Sequence, residues 1–199
     1  MSNNDYQKQI TGALLLMENV YRGDVEAKDG NKEVIEQIYK NILRLLQKDF
    51  SLSIYSAAWC IVWSGYDEGN LISQGIATEM CIRLVDLWVN SDMSYEVRWM
   101  VSWGIVRVCI PSFQGNILHG IIGLEQIIEK CYKNPENEFD EWAAIYLGIL
   151  LKLWSKEETR RKIKEVKPKF ALLNKKFLQQ RGSSFSDEEE KLDFKNFDE

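Results

Sequence analysis

The sequence predicts an all-α protein in which short helical units repeat along the chain. Large aromatic residues return in pairs, and the two members of each pair stand four residues apart, so both lie on one stripe of a helix. The first members of successive pairs are separated by 40 and 43 residues. The three pairs are Trp59 with Trp63, Trp99 with Trp103, and Trp142 with Tyr146.

A second set of apolar residues keeps the same period, since Leu43, Val85 and Ile127 follow one another at intervals of 42 residues. Repeats of about 40 to 47 residues are typical of stacked two- or three-helix units, because one unit cannot bury its apolar face alone. No stretch alternates apolar and polar residues over a strand-like length, and only three prolines occur. These features favour an α-solenoid without a sheet.

The first part of the chain predicts three helices. Residues 6–20 carry apolar side chains near one face, and a glycine-containing loop follows them. Residues 33–47 have apolar side chains at spacings of three and four, which is the pattern of an amphipathic helix. Ser51 or Ser53 is expected to cap the next helix, which carries the first tryptophan pair and ends at Gly65.

The pattern then returns twice. Residues 71–89 predict a short and a longer helix with a break near Gly75, because glycine weakens a helix interior. Residues 95–110 predict a helix that is capped by a preceding serine and stopped by Pro111. Two further helices are expected over residues 116–132 and 139–154.

The C-terminal part divides by charge. Residues 156–181 hold ten lysines and arginines against three glutamates. This basic run is either a nuclear localisation-like stretch or, as we prefer, the solvated face of terminal capping helices, which repeat arrays need for solubility. Residues 182–199 are acidic and poor in aliphatic side chains, so they predict a disordered tail. One repeat domain is therefore expected over residues 1–181.

Composition narrows the class of protein. Four cysteines occur without the close spacing of a zinc site or redox pair, which favours a reducing compartment, the cytoplasm or nucleus. No apolar run approaches the roughly 18 to 20 residues that cross a bilayer, so no membrane contact is expected. The formal net charge is −5, and the body before the basic run is more acidic still, which argues against nucleic acid as the main partner.

The run SAAWCIVWSGYDEGNLISQGIATEMCIRLVDLW resembles the armadillo repeat family, as does the stretch from SYEVRWMVSWGIV through IEKC. In that family a third helix bearing Ala-Ala-Trp leads into a glycine-containing turn and then two further helices. The resemblance covers about residues 6–180, roughly three full repeats with partial ones at each end. It implies a right-handed α-solenoid of the armadillo or HEAT-like kind.

Within the family, importin α is the closest likeness, because tryptophan–asparagine pairs line its peptide-binding groove. The family's asparagine would fall at four positions, of which one carries asparagine here. The four positions are Asn19, Trp63, Trp103 and Tyr146.

A helical wheel indicates whether the tryptophan rings line a groove or fill the core. Trp99 and Trp103 fall on one side of their helix, so the rings are expected to face outward. The residues that gather on the other side are Val97, Val101, Gly104, Ile105 and Val108. Stems of lysine and arginine fit between flat rings and gain cation–π attraction of about 0.5 to 2 kcal/mol each. The alternative is that the rings only fill space between repeats. The predicted peptide-binding residues are Trp59, Trp63, Trp99, Trp103, Trp142 and Tyr146, with Asp67 and Glu96 attracting the cationic groups.

Nothing in the sequence predicts catalysis. His119 stands alone among apolar residues, which is typical of a packing or hydrogen-bonding histidine, and no metal-binding or phosphate-binding motif occurs. We therefore expect no cofactor, no metal and no enzymatic activity. The leading hypothesis is an adapter for an extended, basic peptide, with nuclear protein import as its most specific form. The alternatives are a scaffold for folded partners and, third, a HEAT-like-repeat enzyme acting on nucleic acid; the oligomeric state stays open.

Overall fold

The computed structural model describes residues 32–63, 74–112 and 118–166, together with positions 8, 11, 12, 15 and 168. All regular structure within these residues is helical, which confirms the all-α prediction for this part of the chain. Between residues 32 and 166, the described ranges contain seven helices and one 3-10 turn. They are α1 (Lys32–Leu46), α2 (Ser51–Trp63), α3 (Gln74–Asn90), α4 (Tyr95–Ser112), the turn Leu118–Gly120, α5 (Leu124–Lys133), α6 (Glu138–Leu150) and α7 (156–166).

Helix α4 lies at the centre of the described structure. It packs against α2, α3 and α6, while α1 packs against α2 and α3, and α5 packs against α6. The apolar side of α4 that the helical wheel assigned to the core is buried, including Val101 and Ile105. The opposite side of α4 carries Trp99 and Trp103, which are half-buried and packed against the core.

Several helix ends differ from the sequence prediction. Helix α3 begins at Gln74, so Gly75 lies in its first turn, and the short helix predicted before Gly75 lies outside the described residues. Helix α4 ends at Ser112, one residue after Pro111, instead of before the proline. His119 is exposed in the 3-10 turn, so of its two predicted roles, packing and hydrogen bonding, packing is wrong.

The buried cysteines behave as expected from the sequence. Cys60, Cys81 and Cys131 are free thiols inside the helical core. Burial raises the pKa of the Cys60 thiol to about 12, which keeps it protonated and unreactive at neutral pH. The side chain of Cys109 lies outside the described residues.

Helix α6 has a defined cap at each end. The side chain of Asn137 accepts hydrogen bonds from the backbone N–H groups of Phe139 at 3.0 Å and Asp140 at 2.9 Å. At the other end, Leu153 N–H donates to Gly148 O and Lys152 N–H donates to Ile149 O, both at 3.0 Å. This pair of bonds is a Schellman motif, and it ends the helix four residues earlier than the sequence predicted.

The Schellman motif places Lys152 in the left-handed region, with φ of 53°. Replacing Lys152 with glycine is expected to raise the free energy of unfolding by about 1 kcal/mol, because a side chain costs roughly 1 to 2 kcal/mol in that conformation. Urea denaturation measures the change. The matched control is Lys164→Gly, an exposed lysine inside α7, which should lose about 1 kcal/mol. If both substitutions destabilise the protein, the positive φ of Lys152 does not cost the stability that is expected of it.

Some predictions fall outside the described residues. They concern most of the helix over residues 6–20, the side chain of Trp63, the whole of Asp67, and the acidic tail over residues 182–199.

Candidate functional site

An aromatic face on α4 consists of Tyr95, Trp99 and Trp103, and its two tryptophans are also packed against the core. The three residues are spaced four apart, so their rings follow one another up the helix. Trp99 and Trp103 are half-buried, and Tyr95 is 57% exposed. Glu96 is exposed one turn before Trp99, on the same side of the helix. The sequence analysis included all of these except Tyr95.

Phe139 of α6 holds the two tryptophan rings in place from behind. The Phe139 ring is stacked on Trp103, with centroids 4.6 Å apart and planes 15° from parallel. It meets Trp99 edge to face at 5.3 Å, and the two tryptophans meet edge to face at the same distance. Such aromatic contacts contribute about 0.5 to 1.5 kcal/mol beyond area burial. The contacts with Phe139 therefore fix the orientations of the two half-buried rings.

Two predicted groove residues lie in the core instead. Trp142 is 3% exposed, and Tyr146 is fully buried, where burial raises the pKa of its phenol. The reason is the position of α6, whose two sides are covered by α4 and α5. Trp142 meets Phe139 edge to face at 5.5 Å, inside the protein. The prediction that these two rings face outward is wrong.

Helix α2 adds one further ring to the neighbourhood of α4. Trp59 is half-buried and packs partly on the core, as Trp99 and Trp103 do. Helices α2 and α4 are in direct contact, so Trp59 belongs to a helix adjacent to the aromatic face.

A buried carboxylate fixes the position of α4. Asp140 is fully buried and accepts hydrogen bonds from three side chains. The indole N–H of Trp88 donates to it at 2.8 Å, Nε of Arg98 donates at 3.0 Å, and the hydroxyl of Ser102 also donates to it. Because these groups come from α3, α4 and α6, the Asp140 network ties three helices together.

Arg98 extends the Asp140 network beyond the carboxylate. Its guanidinium donates to the backbone oxygen of Trp88 at 3.1 Å and to Sγ of Cys131 at 3.6 Å, and it pairs with Glu136 at 3.1 Å. Burial acts to lower the pKa of Arg98, but Asp140 outweighs that effect and the pKa is raised. Burial also raises the pKa of the Cys131 thiol, with a further contribution from Asp140.

The Asp140 network and the aromatic face use neighbouring residues of α4. Arg98 and Ser102, which donate to Asp140, directly precede Trp99 and Trp103 in the sequence. Each tryptophan of the aromatic face therefore follows a residue that fixes α4 to Asp140. Local spacing did not reveal this arrangement, because Trp88 and Asp140 lie 52 residues apart in the chain. The sequence shows only that Asp140 is an acid in the first turn of a helix. An acid at such a position is ordinarily solvated, so its burial could not be predicted.

Comparison with known proteins identifies no relative. No family model matches the chain, and neither a curated protein nor a solved structure matches it.

Two classes of feature are absent from the described ranges. No group of three or more histidine, cysteine, aspartate or glutamate side chains converges there as metal ligands do. No helix in the same ranges has the length and apolar character that spanning a membrane requires.

Proposed function

We propose that this chain is a non-enzymatic binding module that holds an extended, basic peptide against the aromatic face of α4. The supporting observation is the presentation of Trp99 and Trp103, which are half-buried, braced by Phe139 and followed outward by exposed Tyr95. Rigid aromatic rings supply contact area at low entropic cost, which is why tyrosine and tryptophan dominate binding hot spots.

The same geometry favours a cationic ligand. Lysine and arginine stems pack on ring faces, and their charged groups gain about 0.5 to 2 kcal/mol from each ring they contact. Glu96 lies at the start of the aromatic face and is exposed to a ligand. Its pKa is lowered by hydrogen bonds from its own backbone N–H and from Ser94, so it stays ionised at neutral pH. The net charge of −5 adds a general attraction for basic partners.

The architectural part of the proposal is an armadillo-type solenoid. The period of about 40 residues and the Ala-Ala-Trp run of α2 support it, and nuclear protein import in the manner of importin α is its most specific form. Trp142 and Tyr146 are buried, so the proposed binding surface is shorter than the sequence alone implied. It comprises the aromatic face with Glu96 and, on the neighbouring helix, Trp59.

Removing the aromatic face is expected to weaken peptide binding at least tenfold. The double variant Trp99→Ala, Trp103→Ala removes the two braced rings, and Tyr95→Ala removes the most exposed one with the least risk to the fold. Binding of an extended peptide of alternating lysine and alanine is measured by fluorescence anisotropy at low and moderate salt. Circular dichroism shows whether each variant keeps its helices.

The control variant is Ile122→Ala, which removes an apolar side chain that is 97% exposed and lies away from α4. It should leave peptide binding unchanged. If a folded Tyr95→Ala protein and the folded double variant bind the peptide as the original chain does, the proposal is wrong.

A second function is favoured by one observation, an apolar surface that includes exposed Ile82 and Ile122 and half-buried Ile121. An apolar cleft of about 340 Å³ between α1 and α3 includes Ile82 and Ile121 in its wall. An exposed apolar patch of this kind is typical of surfaces that bind folded proteins. A scaffold that uses this surface would lose its partner in Ile122→Ala and keep it in Tyr95→Ala.

A further inference from the structure

A second site lies between α5, the segment that follows α6, and α7, where two aromatic rings contact an ammonium group. We call it the ammonium cage, and it consists of Tyr132, Trp154 and Glu158. The Tyr132 and Trp154 ring centroids are 6.1 Å apart, with planes tilted by 58°. Nζ of Lys162 lies 3.3 Å from the Tyr132 centroid and 4.4 Å from the Trp154 centroid. Glu158 completes the cage, with Oε1 at 3.6 Å from the same nitrogen.

Lys162 occupies the ammonium cage and is buried to a degree that is rare for lysine. Its side chain is fully buried, and within the described part of the chain Nζ finds no hydrogen-bond acceptor. Lysine is almost never fully buried unless it is paired, because the ammonium group loses its hydration. The two ring faces and the Glu158 carboxylate are what offset that loss. The chemistry of the ammonium cage is thus specific for a cation, and an aliphatic side chain would gain little from it.

The walls of the ammonium cage also border open space. A cleft of about 460 Å³ is lined by Tyr132, Trp154 and Glu158, together with Glu125 and Glu129. Three glutamates and one lysine, Lys133, are the charged groups of this lining, so the approach to the ammonium cage is net acidic. An incoming cation would therefore be drawn towards the same rings that Lys162 contacts.

The helix that carries Lys162 is the last one in the described ranges. Helix α7 buries only Ile163 and Val166 besides Lys162. Helices with few buried apolar residues open at lower free-energy cost than helices with many. Lys162 can thus leave the ammonium cage without disturbing the packing of α4 with α2, α3 and α6.

We propose that the ammonium cage is a binding site for the alkylammonium group of another molecule, and that Lys162 fills this site in the unbound protein. Two aromatic faces with a nearby carboxylate are the arrangement by which proteins recognise ammonium ligands. The incoming group displaces Lys162, and α7 is released from the rings. The site is separate from the aromatic face of α4, so its failure and the failure of the peptide-binding proposal can be told apart.

Lys162→Ala should empty the ammonium cage and create a measurable ligand site. The probe is n-propylammonium, which contains the same carbon and nitrogen atoms that the substitution removes; 1-propanol is the neutral probe of equal size. Binding is measured on the full chain by tryptophan fluorescence and by the rise in melting temperature. Lys162→Ala should bind n-propylammonium at least tenfold more tightly than the original chain does, and 1-propanol should give no such gain.

Three controls complete the experiment. Lys164→Ala removes an exposed lysine of the same helix and should bind like the original chain. Adding Trp154→Ala to Lys162→Ala should abolish the gain. A short peptide with one lysine, compared with the same peptide acetylated at that lysine, distinguishes a polypeptide ligand from a small amine.

The proposal is overturned if folded Lys162→Ala responds equally to n-propylammonium and 1-propanol. Should that variant fail to fold, the original chain supplies the test through amide hydrogen exchange. High n-propylammonium should accelerate exchange in α7, while 1-propanol at equal concentration should not. Equal exchange in the two solutions would also overturn the proposal.

Discussion

Asp140→Ala is expected to cause the largest loss of stability in the described structure, about 3 to 5 kcal/mol. Asp140 is fully buried and accepts hydrogen bonds from Trp88, Arg98 and Ser102. Removing one partner of a buried ion pair is strongly destabilising, by an amount of order 3 to 5 kcal/mol. Arg98 would keep its pair with Glu136, but the Glu136 side chain is 62% exposed, so this carboxylate replaces little of the lost interaction. The arginine is itself only 13% exposed in its side chain, so water cannot replace the lost carboxylate easily. Denaturation by urea, followed by circular dichroism, gives the free energy of unfolding.

The matched control is Glu138→Ala, which removes an exposed acid from the same first turn of α6. That substitution should cost no more than about 1 kcal/mol, the contribution of an acid near a helix N-terminus. A double-mutant cycle with Arg98→Ala isolates the pair, and the double variant should lose less than the sum of the single variants. If Asp140→Ala costs no more than Glu138→Ala, the Asp140 network does not hold α3, α4 and α6 together.

Gly148→Ala is expected to cost about 1 to 3 kcal/mol, although alanine is the better helix former. Gly148 lies in the last turns of α6, and an added Cβ would overlap the far end of the Trp154 ring, including Cζ2 at 2.6 Å. The ring would have to swing away from α6 and from Lys162. Overpacking of this kind costs about 1 to 3 kcal/mol, which exceeds the 0.5 to 1 kcal/mol that alanine gains over glycine in a helix.

Gly104→Ala provides the control for Gly148→Ala. An added Cβ at Gly104 of α4 would meet the Leu84 side chain at 3.5 Å, an ordinary van der Waals contact. This substitution should therefore be neutral or stabilising by up to about 1 kcal/mol. Thermal unfolding of the two variants, side by side, measures the difference. Equal effects of the two substitutions would show that Trp154 does not pack on Gly148 as described.

Local periodicity was sufficient to predict the helices and the buried side of α4. The apolar residues of α4 repeat at helical spacing, and Val101 and Ile105 are buried as the helical wheel requires. Periodicity shows that a helix has two different sides, but it cannot show that a second neighbour covers the side expected to face solvent. That is the situation of α6, and it explains why Trp142 and Tyr146 were placed wrongly. Tyr95 was accessible to the same reasoning, since it stands four residues before Trp99.

The parts that the sequence did not reveal depend on contacts between distant segments or on unusual backbone conformations. Lys162 reads as one cation of a solvated basic helix, yet it is buried between Tyr132 and Trp154, which come from other segments. Lys152 adopts positive φ at a position where glycine would be the usual signal. Neither placement follows from spacing or composition.

The most direct test of the peptide-binding proposal is a titration of the full chain with the lysine–alanine peptide, observed through the indole N–H resonances of the tryptophans. The proposal predicts that the Trp99 and Trp103 resonances shift together and saturate. The Trp88 resonance should stay in place, because its indole N–H is bound to Asp140 inside the protein. Unchanged Trp99 and Trp103 resonances at saturating peptide would contradict a binding role for the aromatic face of α4.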